Sequence, residues 1–250
     1  MAFSPDELER YARHLVLHEV GGPGQQRLKA AKVLVIGAGG LGSPAILYLA
    51  AAGVGTLGVV DDDVVSLSNL QRQVLHATEE VGQPKTASAA RAVARINPHV
   101  TLAGHEIRLD ADNATDIAGG YDLVLDGCDN FETRYLVNRV CADLQIPLVS
   151  AAIGRWEGQL SVFRPWLGGP CYECIFPEAP APGLVPACSE AGVLGALAGI
   201  MGAMQAAEAV KLITGAGEPL DGRLMLHDAL GAETRTIRLS KRASCPVCHG

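Results

Sequence analysis

Three glycines near the start of the chain have the spacing of nucleotide-binding loops. Gly37, Gly39 and Gly42 form a G-x-G-x-x-G pattern that directly follows an apolar run. Glycines at these positions permit a tight turn and let backbone amides approach a phosphate chain at a helix N-terminus. Asp61 ends the next apolar run, where a carboxylate can accept hydrogen bonds from ribose hydroxyls. The pattern predicts a nucleotide site, with close strand–helix packing as the alternative, and it does not separate NAD from ATP.

Polar and basic residues follow that aspartate. Asn69, Arg72 and Gln73 lie just beyond the predicted ribose position, and Lys85 begins the next predicted helix. A dehydrogenase needs few cations here, because the helix terminus already binds the pyrophosphate. A triphosphate attacked at its α-phosphorus needs more of them, because charge develops on the phosphate oxygens and on the departing pyrophosphate. The cations therefore favour ATP, unless Arg72 and Lys85 are simply solvated.

Two carboxylates, Asp126 and Asp129, follow a later predicted strand. Ligands of open α/β sheets bind at the carboxyl ends of parallel strands. A carboxylate there can hold Mg²⁺ while the metal contacts phosphates. Asp129 also precedes Asn130 at a predicted helix start, so a simple capping role is the alternative. We interpret Asp129 as a candidate Mg²⁺ ligand.

The chain contains seven cysteines, and four of them form two C-x-x-C pairs. The pairs are Cys171 with Cys174 and Cys245 with Cys248. Four thiolates in two such pairs suit a closed tetrahedral Zn²⁺ site, which would be structural and would tie the C-terminal tail to the middle of the chain. A redox role is the alternative, although it normally needs one pair at a helix start. The odd cysteine count argues against a disulfide framework.

Three further residues have types that could take part in chemistry. Cys188 lies in a Pro-, Ala- and Gly-rich stretch, residues 177–192, where a reactive thiol and an inert one are equally plausible. His76 and His227 stand alone in the sequence. Isolated histidines are more often structural than catalytic, and we interpret both in that way.

Composition narrows the class of protein and its surroundings. Charged residues make up 19% of the chain, the formal net charge is −7, and no run of Lys or Arg is present. These values argue against nucleic acid or an anionic membrane as the main partner. Residues 191–210 could pass for a membrane span by length. Gln205, Glu208 and Lys211 at helical spacing instead favour a buried helix with one polar edge, and a cytoplasmic protein is expected.

The elements that must position these residues alternate between strand and helix. This alternation predicts an α/β fold: a Rossmann-like, doubly wound, mainly parallel sheet over residues 30–154, preceded by a helical arm over 1–29. The remainder, 155–250, is predicted to form an antiparallel extension that contains a crossover loop and the zinc site. Parallel strands are predicted at 32–37, 56–61, 100–106, 121–127 and 147–154, and antiparallel strands at 158–165, 222–229 and 234–240.

Nearly the whole chain resembles the MoeB/ThiF family of ubiquitin-activating-like adenylyltransferases. The resemblance rests on "GAGGLGSP", "DDDVVSLSNLQRQ", "GQPKT", "DGCDN" and "ACSEAGVLG", together with the paired "CYEC" and "CPVC". In such enzymes the C-terminal glycine carboxylate of a small ubiquitin-like sulfur-carrier protein attacks the α-phosphate of MgATP. An acyl-adenylate and pyrophosphate form. The resemblance implies ATP, Mg²⁺ and structural Zn²⁺ as cofactors.

The resemblance also implies a role for each matching residue. Gly39 and Gly40 line the nucleotide and Asp61 holds the ribose. Asp129 is the Mg²⁺ residue, and the C-terminal part, 155–250, binds the carrier. The residues that contact the phosphates are Asn69, Arg72 and Lys85.

Two implied roles concern other molecules. Arg13 matches a family arginine that reaches the nucleotide site of the neighbouring subunit, which implies a homodimer. Cys188 matches a loop cysteine that in some members links covalently to the carrier or to a sulfur donor, and in others is dispensable. Some relatives carry an extra C-terminal rhodanese domain; none is expected here, and a separate sulfur donor is the expected partner. The expected substrate is the carrier of molybdopterin synthesis, and the thiamine-pathway carrier is the alternative substrate. A less favoured alternative is that the protein is an NAD-dependent oxidoreductase.

Overall fold

The computed structural model describes residues 2–181 and 191–248. Its centre is a single eight-stranded sheet in the order β3-β2-β1-β4-β5-β6-β7-β8. The strands in chain order are β1 (Lys32–Ile36), β2 (Thr56–Val60), β3 (Thr101–His105), β4 (Leu123–Asp126), β5 (Leu148–Ile153), β6 (Glu157–Phe163), β7 (Arg223–Asp228) and β8 (Glu233–Arg238).

The sheet is parallel in its first half and antiparallel in its second. Strands β1 to β5 pair in parallel, and β6, β7 and β8 each pair antiparallel to the preceding strand of the sheet. The predicted fold class, a mainly parallel α/β sheet with an antiparallel C-terminal extension, is confirmed. The central strands lie between two layers of helices, which explains why their sequences are continuously apolar.

Helices cover both faces of the sheet. The helices of the described residues are α1 (Pro5–Arg10), α2 (Ala12–Leu15), α3 (Gly21–Ala30), α4 (Gly42–Ala52), α5 (Lys85–Ile96), α6 (Ala114–Ala118), α7 (Phe131–Leu144), α8 (Tyr172–Ile175) and α9 (Gly195–Thr214). One apolar core joins β1 and β2 to α3, α4, α5 and α9, and a second core lies on the opposite face against α6 and α7.

The N-terminal arm contains one helix that the sequence pattern does not predict. Ser4 and Glu7 form a capping box, with the Glu7 amide 3.2 Å from Ser4 Oγ. The stretch Gly-Gly-Pro-Gly, residues 21–24, is typical of a break in the chain, yet α3 begins there, at Gly21. Proline is tolerated in the first helical turn, since its missing N–H would have no partner there. Gly24 is also buried against Val20, so a small residue fits this position.

The apolar helix α9 is a core helix. By length and composition it could cross a membrane, but Leu197, Ala198 and Met201 are fully buried inside the protein. A Cβ added to Gly202 would lie 2.2 Å from the carbonyl oxygen of Leu41, so the backbone of α9 touches the start of α4 directly. The predicted polar edge is present, since Gln205 Nε2 donates to the carbonyl oxygen of Asp126 at 2.8 Å. The Gly/Ala composition of α9 thus serves close packing.

Candidate functional site

The glycine loop joins β1 to α4 at the carboxyl end of the sheet. Gly37 has a φ of 89°, in the left-handed region that favours glycine. A Cβ on Gly42 would lie 1.8 Å from the carbonyl oxygen of Gly37, so the turn closes only with glycine there. Within the described residues, the amides of Gly39, Gly40 and Leu41 donate to no other group. Three unpaired donors at a helix start form a ready site for an anion.

Asp61 fixes this loop from the neighbouring strand. Its Oδ2 accepts the amide of Ala38 at 2.8 Å, and its Oδ1 accepts the amide of Asp63 at 2.9 Å. The side chain is buried at the end of β2, as the spacing predicts. Each carboxylate oxygen has a second lone pair, so Asp61 can still accept a hydroxyl proton from a ligand.

Lys85, the first residue of α5, lies beside the same carboxylate. Its Nζ is 2.7 Å from Asp63 Oδ2 and 3.5 Å from Asp61 Oδ1. The Lys85 side chain is only 5% exposed, so it is not the solvated cation of the alternative interpretation. A buried ammonium group is costly unless it is paired. The two aspartates therefore hold a positive charge next to the glycine loop.

Arg72 and Gln73 approach the loop from the turn after β2. The Arg72 side chain packs alongside Gly40 and donates from Nη1 to the carbonyl oxygen of Ser68 at 3.3 Å. Gln73 is buried next to Gly39, and its Oε1 has no hydrogen-bond partner among the described residues. An unpaired buried carbonyl is unusual and fits a donor from a bound ligand.

Asn69 organises this turn through its backbone. Its carbonyl oxygen accepts the amides of Arg72 and Gln73 at 3.0 and 2.9 Å. The structure thus brings Asn69, Arg72 and Gln73 to the same edge of the sheet as Asp61 and the glycine loop.

Asp126 and Asp129 occupy different surroundings, although both follow β4. Asp126 is fully buried and accepts from the Cys128 amide, Ser150 Oγ at 2.8 Å and Arg134 Nη1 at 3.2 Å. These contacts leave it little capacity for a metal. Asp129 is exposed, and Asn130 rather than Asp129 caps α7 by accepting the Thr133 amide at 2.9 Å. The capping alternative is therefore wrong for Asp129, whose carboxylate remains available to a cation.

Sequence reasoning missed the buried arginine beneath this turn. Arg134 donates to the carbonyl oxygens of Cys128 and Ala151 at 2.7 and 2.9 Å and pairs with Asp126. It fixes the backbone immediately before Asp129. Burial and the Asp126 charge raise the pKa of Cys128 well above its usual value, so this cysteine is a neutral thiol. No sequence signal predicts that this arginine is buried, because an arginine on a helix is normally exposed to solvent.

His76, predicted to be structural, lies against the glycine loop. Its Nε2 lies 2.9 Å from the carbonyl oxygen of Ala38, and its Nδ1 lies 2.7 Å from Ser88 Oγ. His227, by contrast, lies on the antiparallel hairpin and contacts Thr234 Oγ1 at 2.8 Å.

The four predicted cysteine ligands converge. The sulfur atoms of Cys171, Cys174, Cys245 and Cys248 all lie within 4.8 Å of one another. Two contacts cross between the pairs: Cys171 to Cys245 is 3.6 Å and Cys174 to Cys248 is 3.3 Å. Sulfurs bound to one tetrahedral Zn²⁺ at 2.3 Å would be about 3.8 Å apart, so the cluster has the size of a closed metal site.

A carboxylate inside the first pair anchors this cluster to the sheet domain. Glu173 is buried, and its oxygens accept from Arg139 Nε and Nη2 at 2.8 and 3.2 Å. Asn138 accepts the Tyr172 amide at 2.9 Å. Both Arg139 and Asn138 belong to α7, so the position of the cysteine cluster is fixed on a rigid helix.

Two predicted site residues, Arg13 and Cys188, are not placed at the glycine loop. Cys188 lies outside the described residues. Arg13 is exposed on α2. Tyr11, the residue before α2, packs against Gly53 at the C-terminal end of α4. The glycine loop lies at the N-terminal end of α4, and the 11 residues of α4 separate its two ends by about 16 Å. Arg13 is therefore not part of the cluster that Arg72 and Lys85 form in the same chain.

The fold and these residues define a nucleotide-binding α/β enzyme with a four-cysteine cluster that could hold a metal ion. The ThiF family model matches residues 11–247, and the chain belongs to the ThiF family. The predicted resemblance to adenylyltransferases of this family is confirmed.

Two curated proteins and one solved structure are similar to this chain over nearly its whole length. The chain is 51% identical over 248 residues to the SAMP-activating enzyme E1 of Haloferax volcanii, covering 99% of this chain and 91% of that one. It is 50% identical over 252 residues to the sulfur carrier protein adenylyltransferase of Thermus thermophilus, covering 99% and 93%. The crystal structure of E. coli MccB with ATP has a TM-score of 0.84 at 23% identity, covering 96% and 75%, which shows a shared fold.

Proposed function

We propose that this chain is an ATP-dependent adenylyltransferase that activates the C-terminal glycine carboxylate of a small ubiquitin-like sulfur-carrier protein and releases pyrophosphate. One observation carries the proposal: the buried Lys85 ammonium beside the unpaired amides of the glycine loop. A fixed cation and free amide donors at one edge suit a polyphosphate. The names of the two full-length relatives support the same reaction.

The chemistry requires two anions to meet. A carboxylate and a triphosphate repel each other, and Arg72 and Lys85 supply opposing charge as it builds on the phosphate oxygens. Holding both reactants in position contributes on the order of 7 kcal/mol or more to lowering the barrier. The attacking carboxylate is already ionised at neutral pH, so the reaction needs no general base.

In this proposal Gly39 and Gly40 line the nucleotide and Asp61 binds the ribose. Asn69, Arg72 and Lys85 contact the phosphates, and the unpaired Gln73 oxygen accepts a ligand donor. Asp129, exposed and uncommitted to a cap, is the candidate ligand for Mg²⁺. When bound, Mg²⁺ would neutralise charge on the phosphates.

We further propose that the four-cysteine cluster holds structural Zn²⁺. The donor set is all thiol, the size fits tetrahedral coordination, and four protein ligands leave no position for substrate. The metal would join the C-terminal tail, residues 245–248, to the segment that begins at Cys171. The antiparallel part of the chain, from residue 155 onward, would then present a stable surface to the carrier.

The protein is proposed to act as a homodimer. Arg13 lies at the far end of α4 from its own glycine loop, so it would serve the site of a second copy. We also propose a cytoplasmic location and a separate sulfur donor. Cys188 is the candidate for a covalent link with the carrier or that donor.

The expected carrier is the one used in molybdopterin synthesis, and the thiamine-pathway carrier is the alternative. The decisive experiment is exchange of labelled pyrophosphate into ATP, with each purified carrier added separately. Exchange that depends on the molybdopterin-type carrier is expected. No exchange with any carrier, in protein with its metal retained, would refute the adenylyltransferase assignment, and turnover of bound nicotinamide would support an oxidoreductase.

A further inference from the structure

His76 connects the glycine loop to a chain of buried side chains. Its ring is 7% exposed, and it bridges Ala38, in the loop, to Ser88, on α5. Ser88 Oγ also contacts Glu80 Oε2, and Glu80 Oε1 accepts from Arg91 Nε at 2.8 Å. The connected groups therefore run from the protein surface at Arg91 to the peptide that precedes Gly39.

Hydrogen-bond accounting fixes which ring nitrogen carries a proton. The carbonyl oxygen of Ala38 can only accept, so His76 Nε2 must donate to it. Ser88 has one hydroxyl proton and two neighbouring acceptors, His76 Nδ1 and Glu80. If Ser88 donates to Nδ1, the ring is neutral with its proton on Nε2. If Ser88 donates to Glu80, Nδ1 must carry its own proton and the ring is cationic. In both arrangements Nε2 keeps its proton.

The peptide between Ala38 and Gly39 transmits this bond to the site. The peptide unit is planar and trans, so the Ala38 carbonyl and the Gly39 amide point in opposite directions. The Ala38 carbonyl accepts from His76 Nε2 at 2.9 Å and more weakly from Ser43 Oγ at 3.4 Å, and Asp61 Oδ2 accepts the Ala38 amide at 2.8 Å. Both ends of Ala38 are thus fixed, which sets the direction of the unpaired Gly39 donor.

We propose that His76 is a positioning residue for nucleotide binding, which orients the Gly39 amide toward the phosphates through its Nε2–H bond to Ala38. This inference rests on the proposed ATP site but concerns binding rather than the transfer step. Ser88 and Glu80 hold the ring in place from its Nδ1 side, and none of the three side chains need touch the nucleotide.

Binding of MgATP by the full-length protein, measured by calorimetry beside the KM and kcat of exchange, tests the proposal. His76→Leu removes the donor and is expected to weaken MgATP binding about tenfold, with a matching rise in KM and a smaller change in kcat. His76→Gln restores an amide donor near the Nε2 position and is expected to recover most of the affinity. Ser88→Ala removes the hydrogen-bond partner of Nδ1, so the ring is held less firmly, and a smaller loss is expected.

The outcomes distinguish the effect of the His76 hydrogen bond from the effect of its packing. They also distinguish failure of this inference from failure of the proposed function. Equal MgATP affinity in wild type, His76→Leu and Ser88→Ala would overturn the inference. So would a His76→Gln variant that melts like the wild type but binds as weakly as His76→Leu. If His76→Leu does not fold, MgATP binding by His76→Gln and Ser88→Ala still tests the inference. A wild type that binds MgATP without any exchange would refute the proposed function while the binding comparison still tests His76.

Discussion

Lys85 Nζ lies 2.7 Å from Asp63 Oδ2, and the two side chains differ sharply in exposure: 5% for the lysine and 70% for the aspartate. An exposed carboxylate thus neutralises a buried cation at the proposed phosphate site. A bound triphosphate would supply negative charge at the same place. The free protein therefore uses Asp63 to stabilise a group that it needs for another anion.

Replacing Asp63 tests this relationship. Asp63→Asn keeps the side-chain shape and removes the charge, so the free protein should melt a few degrees lower, as expected for a loss near 1 kcal/mol. MgATP should then raise the melting temperature more in the variant than in the wild type, because the phosphates replace the missing charge. Asp62→Asn, an exposed neighbour, is the control. An equal shift in all three proteins would contradict the prediction.

The phosphate cations should be needed for transfer but not for folding. Lys85→Ala and Arg72→Ala are each expected to lower the rate of carrier-dependent exchange by on the order of 100-fold or more, since each removes charge stabilisation. Circular dichroism should be unchanged. Arg95→Ala, an exposed cation on the same helix as Lys85, should retain activity. Substantial exchange by Lys85→Ala or by Arg72→Ala would mean that the phosphate assignment is incorrect.

The location of Arg13 predicts complementation between copies. Arg13→Ala and Arg72→Ala should each be nearly inactive, because each site would lose one cation. Co-expressed together, the two chains should form mixed dimers with one intact site and regain roughly a quarter of wild-type exchange. Different affinity tags on the two chains, captured one after the other, would verify the mixed dimers. Persistent inactivity of those dimers would indicate that Arg13 serves its own chain.

The cysteine cluster should hold the C-terminal tail in place. Cys245→Ser is expected to release metal and lower the melting temperature, measured by elemental analysis and calorimetry. Glu173→Gln should weaken the cluster with all four thiols intact, because Arg139 would lose its bidentate partner. Loss of exchange with metal content and melting temperature unchanged would instead point to a catalytic thiol.

Two glycines of α9 form a matched pair. Gly199→Ala meets no atom of the described residues within 4 Å and should be neutral or stabilise by up to about 1 kcal/mol, since alanine favours helices. Gly202→Ala meets the Leu41 carbonyl at 2.2 Å and should destabilise by about 1–3 kcal/mol. It should also weaken MgATP binding, because Leu41 belongs to the glycine loop. Denaturant unfolding distinguishes the two, and similar stabilities would argue against the close α4–α9 contact.

Residue patterns predicted much of the fold and part of the site. The predicted strands match all eight described strands, and the central parallel strands are the clearest of them because buried parallel strands are continuously apolar. The glycine loop, Asp61 and the four cysteines were found from spacing, since their roles depend on short-range geometry. Helix α3 was missed because its first four residues, Gly-Gly-Pro-Gly, read as a break.

Long-range burial explains the other omissions. His76 and Arg134 gain their surroundings from elements distant in sequence, and no local pattern reports this. The same holds for the division between Asp126 and Asp129, which lie three residues apart. Only the fold reveals that one is saturated by Arg134 and Ser150 while the other faces outward.

The last strand of the sheet has a consequence for solubility. All six residues of β8 are exposed, and among the described residues it pairs only with β7, so its outer backbone groups form an open edge. Such an edge invites strand addition and aggregation unless its side chains discourage it. Glu233, Arg235 and Arg238 place charge along the strand. Neutral substitutions there are thus the changes most apt to make the protein precipitate.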